Sequence, residues 1–161
     1  AVAAPGGDGC ARPRRIAAER ISMSAVYLET SALLAWLLGQ SGAGEVCAGI
    51  DVADVVVTSV VTSVEAERVL TRVLAAGAMS EADGRRALGA LVRARASWIV
   101  MELTADVAAR AGASFPVEPV RTLDAVHLAT ALRFTEAFPS LEVSSLDRRV
   151  SENAKALGIG A

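Results

Sequence analysis

Glu29 ends the apolar run "SAVYL" and is followed by two small hydroxyl residues, Thr30 and Ser31, and then by a leucine-rich helical pattern. Glu65 lies in "TSVVTSVEAERVL", Asp124 in "RTLDAVHLATAL" and Asp147 in "VSSLDRRV". Carboxylates gathered on one spot are hard oxygen ligands. Two of them about 5 Å apart repel by roughly 3 kcal/mol at an effective dielectric of 20. Four make several such pairs, and the sum rivals the ~5–15 kcal/mol stability of a whole domain. A divalent cation relieves that repulsion, and Mg²⁺ accepts oxygen ligands while keeping several waters. Such an ion can activate water and stabilise charge on a phosphate oxygen. Zinc is disfavoured, because one His and two Cys offer no ligand spacing.

Each acid also has a structural reading. Val61 and Val69 put Glu65 at the border of an apolar helical stripe, within ion-pairing distance of Arg68 or Arg72 at helical spacing. Thr122 can cap the helix that Asp124 opens, where an acid favours the macrodipole. Asp147 is placed to cap a helix after the turn at Ser144 and Ser145. His127, one turn past Asp124 in an apolar helix, reads as a hydrogen-bonded packing residue rather than a catalytic base. Glu29 is hardest to dismiss, since a strand running into a helix rarely needs an acid. The functional reading rests on the four together.

The elements that would position these residues alternate. Strands are expected at Ala25–Leu28, Asp54–Ser59, Trp98–Leu103 and Leu141–Ser145. Helices are expected at Ser31–Leu38, Glu45–Ile50, Val61–Ala76, after Ser80, at Thr104–Ala113, Thr122–Phe134 and Asp147–Leu157. Ser80 and Thr104 serve as N-caps, Gly77 ends a helix, and Pro116 and Pro119 make "SFPVEPVR" a loop. Apolar strands alternating with helices imply a parallel sheet covered on both faces, an α/β domain. Ligands of such sheets collect beyond the carboxyl ends of the strands. Glu29 and Asp147 fall at that edge, Glu65 one helical turn past it, and the preceding loop can swing Asp124 there.

The 161 residues suggest one domain, and 53% hydrophobic content suggests a packed globule. No apolar run approaches the ~20 residues that span a bilayer. Cys10 and Cys47 give no CxxC pair, which fits a reducing cytoplasm. Residues 1–22 carry Pro, Gly and Arg without a sustained apolar period, so a flexible extension is expected there, with the domain over 23–161 and Met23 as a natural start. The extension holds four Arg against Asp8 and Glu19, a net of +2; with −2 for the chain, the remainder carries −4. Fifteen of the sixteen basic residues are Arg, suited to bidentate phosphate contacts.

"YLETSALLAWL", "VVVTSVVTSVEAERVL", "RTLDAVHLATAL" and "VSSLDRRVSENAKALG" resemble, in order, the four motif blocks of PIN-domain ribonucleases, in particular VapC toxins of toxin–antitoxin pairs. The resemblance runs from Met23 to the C-terminus. It implies a three-layer α/β/α domain with a central parallel sheet, Mg²⁺- or Mn²⁺-dependent RNA cleavage, a homodimer, and a small VapB-like antitoxin partner. Carried over by position, the acidic site is Glu29, Glu65, Asp124 and Asp147, with Thr30 and Ser145 behind the ligands. Arg68, Arg72, Arg148 and Arg149 are candidates for RNA phosphate contacts. One departure stands out: the family usually has Asp where this chain has Glu29, one methylene longer, and octahedral Mg²⁺ tolerates misplacement poorly. A catalytically impaired PIN-like binding module is therefore the alternative. A phosphatase with a strand-end nucleophile would need Asp at 29 and a second Asp at 31, where the chain has Glu29 and Ser31.

Overall fold

The computed structural model describes residues 23–161. The readings placed on residues 1–22, including Cys10, lie outside the described residues. Among the described residues there are four strands, β1 (Ala25–Leu28), β2 (Val55–Ser59), β3 (Ile99–Met101) and β4 (Leu141–Ser144). The helices are α1 (Thr30–Leu38), α2 (Ala43–Val52), α3 (Val60–Ala75), α4 (Glu81–Arg95), α5 (Ala105–Ala111), α6 (Thr122–Thr135) and α7 (Arg148–Ala156). Every strand pair is parallel, in the order β3-β2-β1-β4. The expected α/β/α layering around a parallel sheet is what forms.

Central β1, "AVYL", is buried at every position, because a parallel strand with helices on both faces has no solvent side. Its alternating side chains feed two cores. Ala25 and Tyr27 face a cluster with Leu128, Phe134, Val143 and Val150, whereas Val26 and Leu28 face one with Leu33, Leu37, Ile50 and Leu91. Burial of two such clusters supplies the main drive for folding.

Several boundaries move. β3 is shorter than the sequence suggests: Trp98 joins the second core from just outside the strand, and Ile99 lies at the sheet edge, 47% exposed. α2 runs longer at both ends. Helix α6 is capped at Arg121 with no side-chain hydrogen bond, so Thr122 is its first residue and not its cap. Ser80 and Thr104 cap α4 and α5 as expected. The loop before α6 is fastened to α7: Val117 N–H donates to Asn153 Oδ1 and Asn153 Nδ2 donates to the Val117 carbonyl, both at 2.9 Å. Asn153 is fully buried. The fold thereby fixes where α6 begins, and with it Asp124.

Candidate active site

At the carboxyl edge of the sheet β1 and β4 end side by side, Leu28 paired with Ser144. The Glu29 N–H donates to the Ser144 carbonyl at 3.1 Å, which extends the ladder one residue past the strand. Glu29 is buried, 5% exposed. It caps α1: its Oε2 accepts the Ser31 N–H at 2.9 Å, the Ser31 hydroxyl, and the Ser145 hydroxyl at 2.8 Å. The acid that looked hardest to explain structurally thus has a structural partner set. Backbone N–H groups at a helix start need an acceptor, and a carboxylate there also meets the positive end of the helix.

Ser31 and Ser145 connect the two loops of this edge. Ser31 Oγ accepts the Leu146 N–H at 2.8 Å, and Ser145 Oγ accepts the Asp147 N–H at 3.1 Å. Asp147 then caps α7, its Oδ1 accepting from Arg149 N at 2.8 Å and Val150 N at 3.4 Å. Glu29 and Asp147 are therefore joined through Ser145.

Glu65 sits in the second turn of α3. Its Oε2 accepts the Thr30 hydroxyl at 2.6 Å and lies 2.8 Å from His127 Nε2. The pairing with Arg68 or Arg72 does not form; the hydrogen-bond partner of Glu65 is His127. Burial pushes the Glu65 carboxyl up, but the hydrogen bonds from His127 and Thr30 outweigh it and hold it below its ordinary value. His127 Nε2 also stands 3.9 Å from Glu29 Oε1, between the two glutamates. The ring is 1% exposed and hydrogen-bonded on both nitrogens, as a packing histidine should be.

Asp124 completes the edge. Its Oδ2 is buried with no hydrogen-bond partner among the described residues. Burial raises its carboxyl above the ordinary range; Asp147 and Glu29 raise it further, and Arg121 opposes them. Those two repulsions put Asp124 in the electrostatic range of Asp147 and Glu29. A buried acceptor left bare beside two other acids suits a hard cation, and the donor set is all oxygen. Yet among the described residues no group of three or more His, Cys, Asp or Glu side chains stands close enough to hold an ion. Glu29 and Glu65 are turned onto Ser31, Ser145, Thr30 and His127 instead. The acids share an edge while three of them, Glu29, Glu65 and Asp147, are engaged by protein donors.

Arg68 and Arg72 are exposed on α3, and Arg148 is exposed with a 3.7 Å approach to Glu152. Arg149 is half-buried behind the Asp147 cap. The sequence reading missed the partnership of His127 with Glu65 and the part of Ser31 in holding Glu29. His127 and Glu65 are 62 residues apart, so no local spacing could reveal it.

An all-parallel sheet with acids at its carboxyl edge puts them where α/β domains collect ligands, and the PIN domain family matches residues 26–156. The chain belongs to the PIN domain family. The crystal structure of Mycobacterium tuberculosis VapC20, a toxin that cleaves the sarcin-ricin loop, has the same fold: TM-score 0.59 at 20% identity, over 79% of this chain and 93% of that one. No curated protein sequence matches the chain significantly. Among the described residues no helix is long and apolar enough to cross a membrane.

Proposed function

We propose that this chain is a VapC-like ribonuclease that hydrolyses RNA phosphodiesters with Mg²⁺, Mn²⁺ serving in its place. The observation that carries the proposal is the buried Oδ2 of Asp124, without a hydrogen-bond partner among the described residues and within electrostatic range of Asp147 and Glu29. The likeness to a VapC toxin of the same fold supports RNA as substrate class. In this reading Asp124 and Glu29 are direct ligands, and Glu65 and Asp147 complete the site or orient water. Thr30 and Ser145 hold Glu65 and Glu29 by their hydroxyls. When bound, the ion would make water nucleophilic at neutral pH and neutralise charge on the phosphate. The carboxylates would hold the ion and orient water beside it. Arg68, Arg72, Arg148 and Arg149 are assigned to the RNA backbone, which an acidic domain must grip by a local basic rim. A cytoplasmic homodimer held in check by a small VapB-like antitoxin, and a domain over 23–161 behind a flexible extension, belong to the same reading.

Purified chain should cleave RNA with Mg²⁺, and Asp124→Asn should lower the rate by at least about a hundredfold, the order seen when a group stabilising transition-state charge is lost. A second reading, a non-catalytic binding module, has one observation in its favour: Glu29 is taken up by the α1 cap. A folded chain inert on RNA with either metal, both as it stands and as Glu29→Asp, would decide for that module.

A further inference from the structure

The chain has one tyrosine and one histidine, and the fold buries them against each other. Tyr27 Oη lies 2.9 Å from His127 Nδ1, and both residues are at most 1% exposed. On its far side the ring reaches the acidic edge, with Nε2 at 2.8 Å from Glu65 Oε2 and 3.1 Å from Thr30 Oγ1. We infer that Tyr27 and His127 form a buried positioning relay that holds Glu65 in its site geometry through a fixed imidazole tautomer.

The chemistry assigns the protons. An ionised carboxylate can only accept, so Nε2 carries hydrogen and donates to Glu65 Oε2. Thr30 donates to the same oxygen, so neither bond occupies Oε1. With hydrogen on Nε2, a neutral ring has a bare Nδ1, which accepts from the Tyr27 hydroxyl. A phenol keeps its proton at neutral pH, so at 2.9 Å the Tyr27 hydroxyl is the donor of this bond. Tyr27 is itself held on β1, at the heart of the first core. The relay thus runs from the middle of the sheet to one oxygen of Glu65 and leaves the other for an external ligand. Each ring nitrogen thus meets a partner of the opposite kind, a hydroxyl donor at Nδ1 and a carboxylate acceptor at Nε2.

This inference rests on the proposed metal site, and the test separates the two. Mn²⁺ binding is measured by calorimetry without RNA, on the chain as it stands and on Tyr27→Phe, His127→Gln and His127→Leu. Glutamine keeps an N–H at the Nε2 position; leucine keeps only bulk. Leucine should weaken Mn²⁺ binding by about tenfold or more, the usual loss for a partner behind a ligand, Tyr27→Phe by several-fold, and glutamine least. Thermal melts of the same variants identify any that fail to fold. In the unsubstituted chain, one histidine gives one pair of ring ¹⁵N resonances. They should report Nε2 protonated and Nδ1 bare and hydrogen-bonded, a readout that stands even if His127→Leu unfolds. A ring protonated at Nδ1 with Nε2 bare overturns the relay, as does equal Mn²⁺ affinity in folded leucine and glutamine variants. If the unsubstituted chain binds no Mn²⁺, the metal site proposed above fails, while the ¹⁵N result still decides the tautomer.

Discussion

Asp124 is held at odds with its surroundings. Its folded carboxyl is raised, so on its account stability is full below the ordinary Asp range and is lost as pH rises through the raised value. Glu65 has the opposite sign. Its folded carboxyl is lowered, so its contribution is present above the ordinary Glu range and is lost as pH falls through the lowered value. Asp124→Asn removes the raised group, and in metal-free buffer at neutral pH it should melt higher than the unsubstituted chain. For a domain of this size each kcal/mol relieved is worth about 2–4 °C. A variant that gains stability while losing cleavage is the signature of a group kept for function rather than folding. Glu29→Asp tests the other acid. Aspartate is among the better N-caps, so chemical denaturation should find it within about 1 kcal/mol of the original, and its RNA cleavage should be at least as fast.

At the scale of elements, the junction of β1–α1 with β4–α7 is held by two serines. Ser31 donates to Glu29 and accepts from Leu146 N, so Ser31→Ala removes both bonds and leaves Glu29 the residue-31 N–H and the Ser145 hydroxyl. It should cost about 1–3 kcal/mol in urea denaturation, more than loss of an exposed hydroxyl would. Asn153 plays a comparable part for the loop before α6. With two bonds to Val117 and one more to the Arg149 carbonyl, it ties that loop to α7. Asn153→Ala should loosen the placement of Asp124. Cleavage should then fall further than the drop in melting temperature alone explains.

For the whole molecule, charge and cation are linked. Residues 23–161 carry −4, and three of the acids interact at one edge of the sheet. An ion that binds the folded state alone stabilises it by mass action, about 2.7 kcal/mol at a hundredfold excess over its dissociation constant. Mg²⁺ should therefore raise the melting temperature of the chain, EDTA should reverse the rise, and Asp124→Asn should abolish the response. Monovalent salt at equal ionic strength should do much less, because screening acts weakly on buried groups.

The alternation of short apolar strands with helices already specified a parallel α/β domain. The reason is that period and β-branching are local properties that burial on both faces simply fulfils. "AVYL", "VVVTS" and the Ser80 and Thr104 caps could be read directly. So could the placement of Glu29 and Asp147 at the carboxyl edge, since a strand end and a helix start put them there. The ends of β3 could not, because Trp98 is drawn into a core made by distant helices. Nor could the cap of α6, where the chain path set by Asn153 and Val117 governs more than the propensity of Thr122. Partnership across the chain was decided by tertiary structure alone: that Glu29 takes Ser145, that Glu65 takes His127 in place of a neighbouring arginine, and that the buried Asp124 oxygen takes nothing among the described residues. A hydrogen bond needs angles and distances within a fraction of an ångström, and only the assembled sheet supplies those between residues 62 to 116 positions apart.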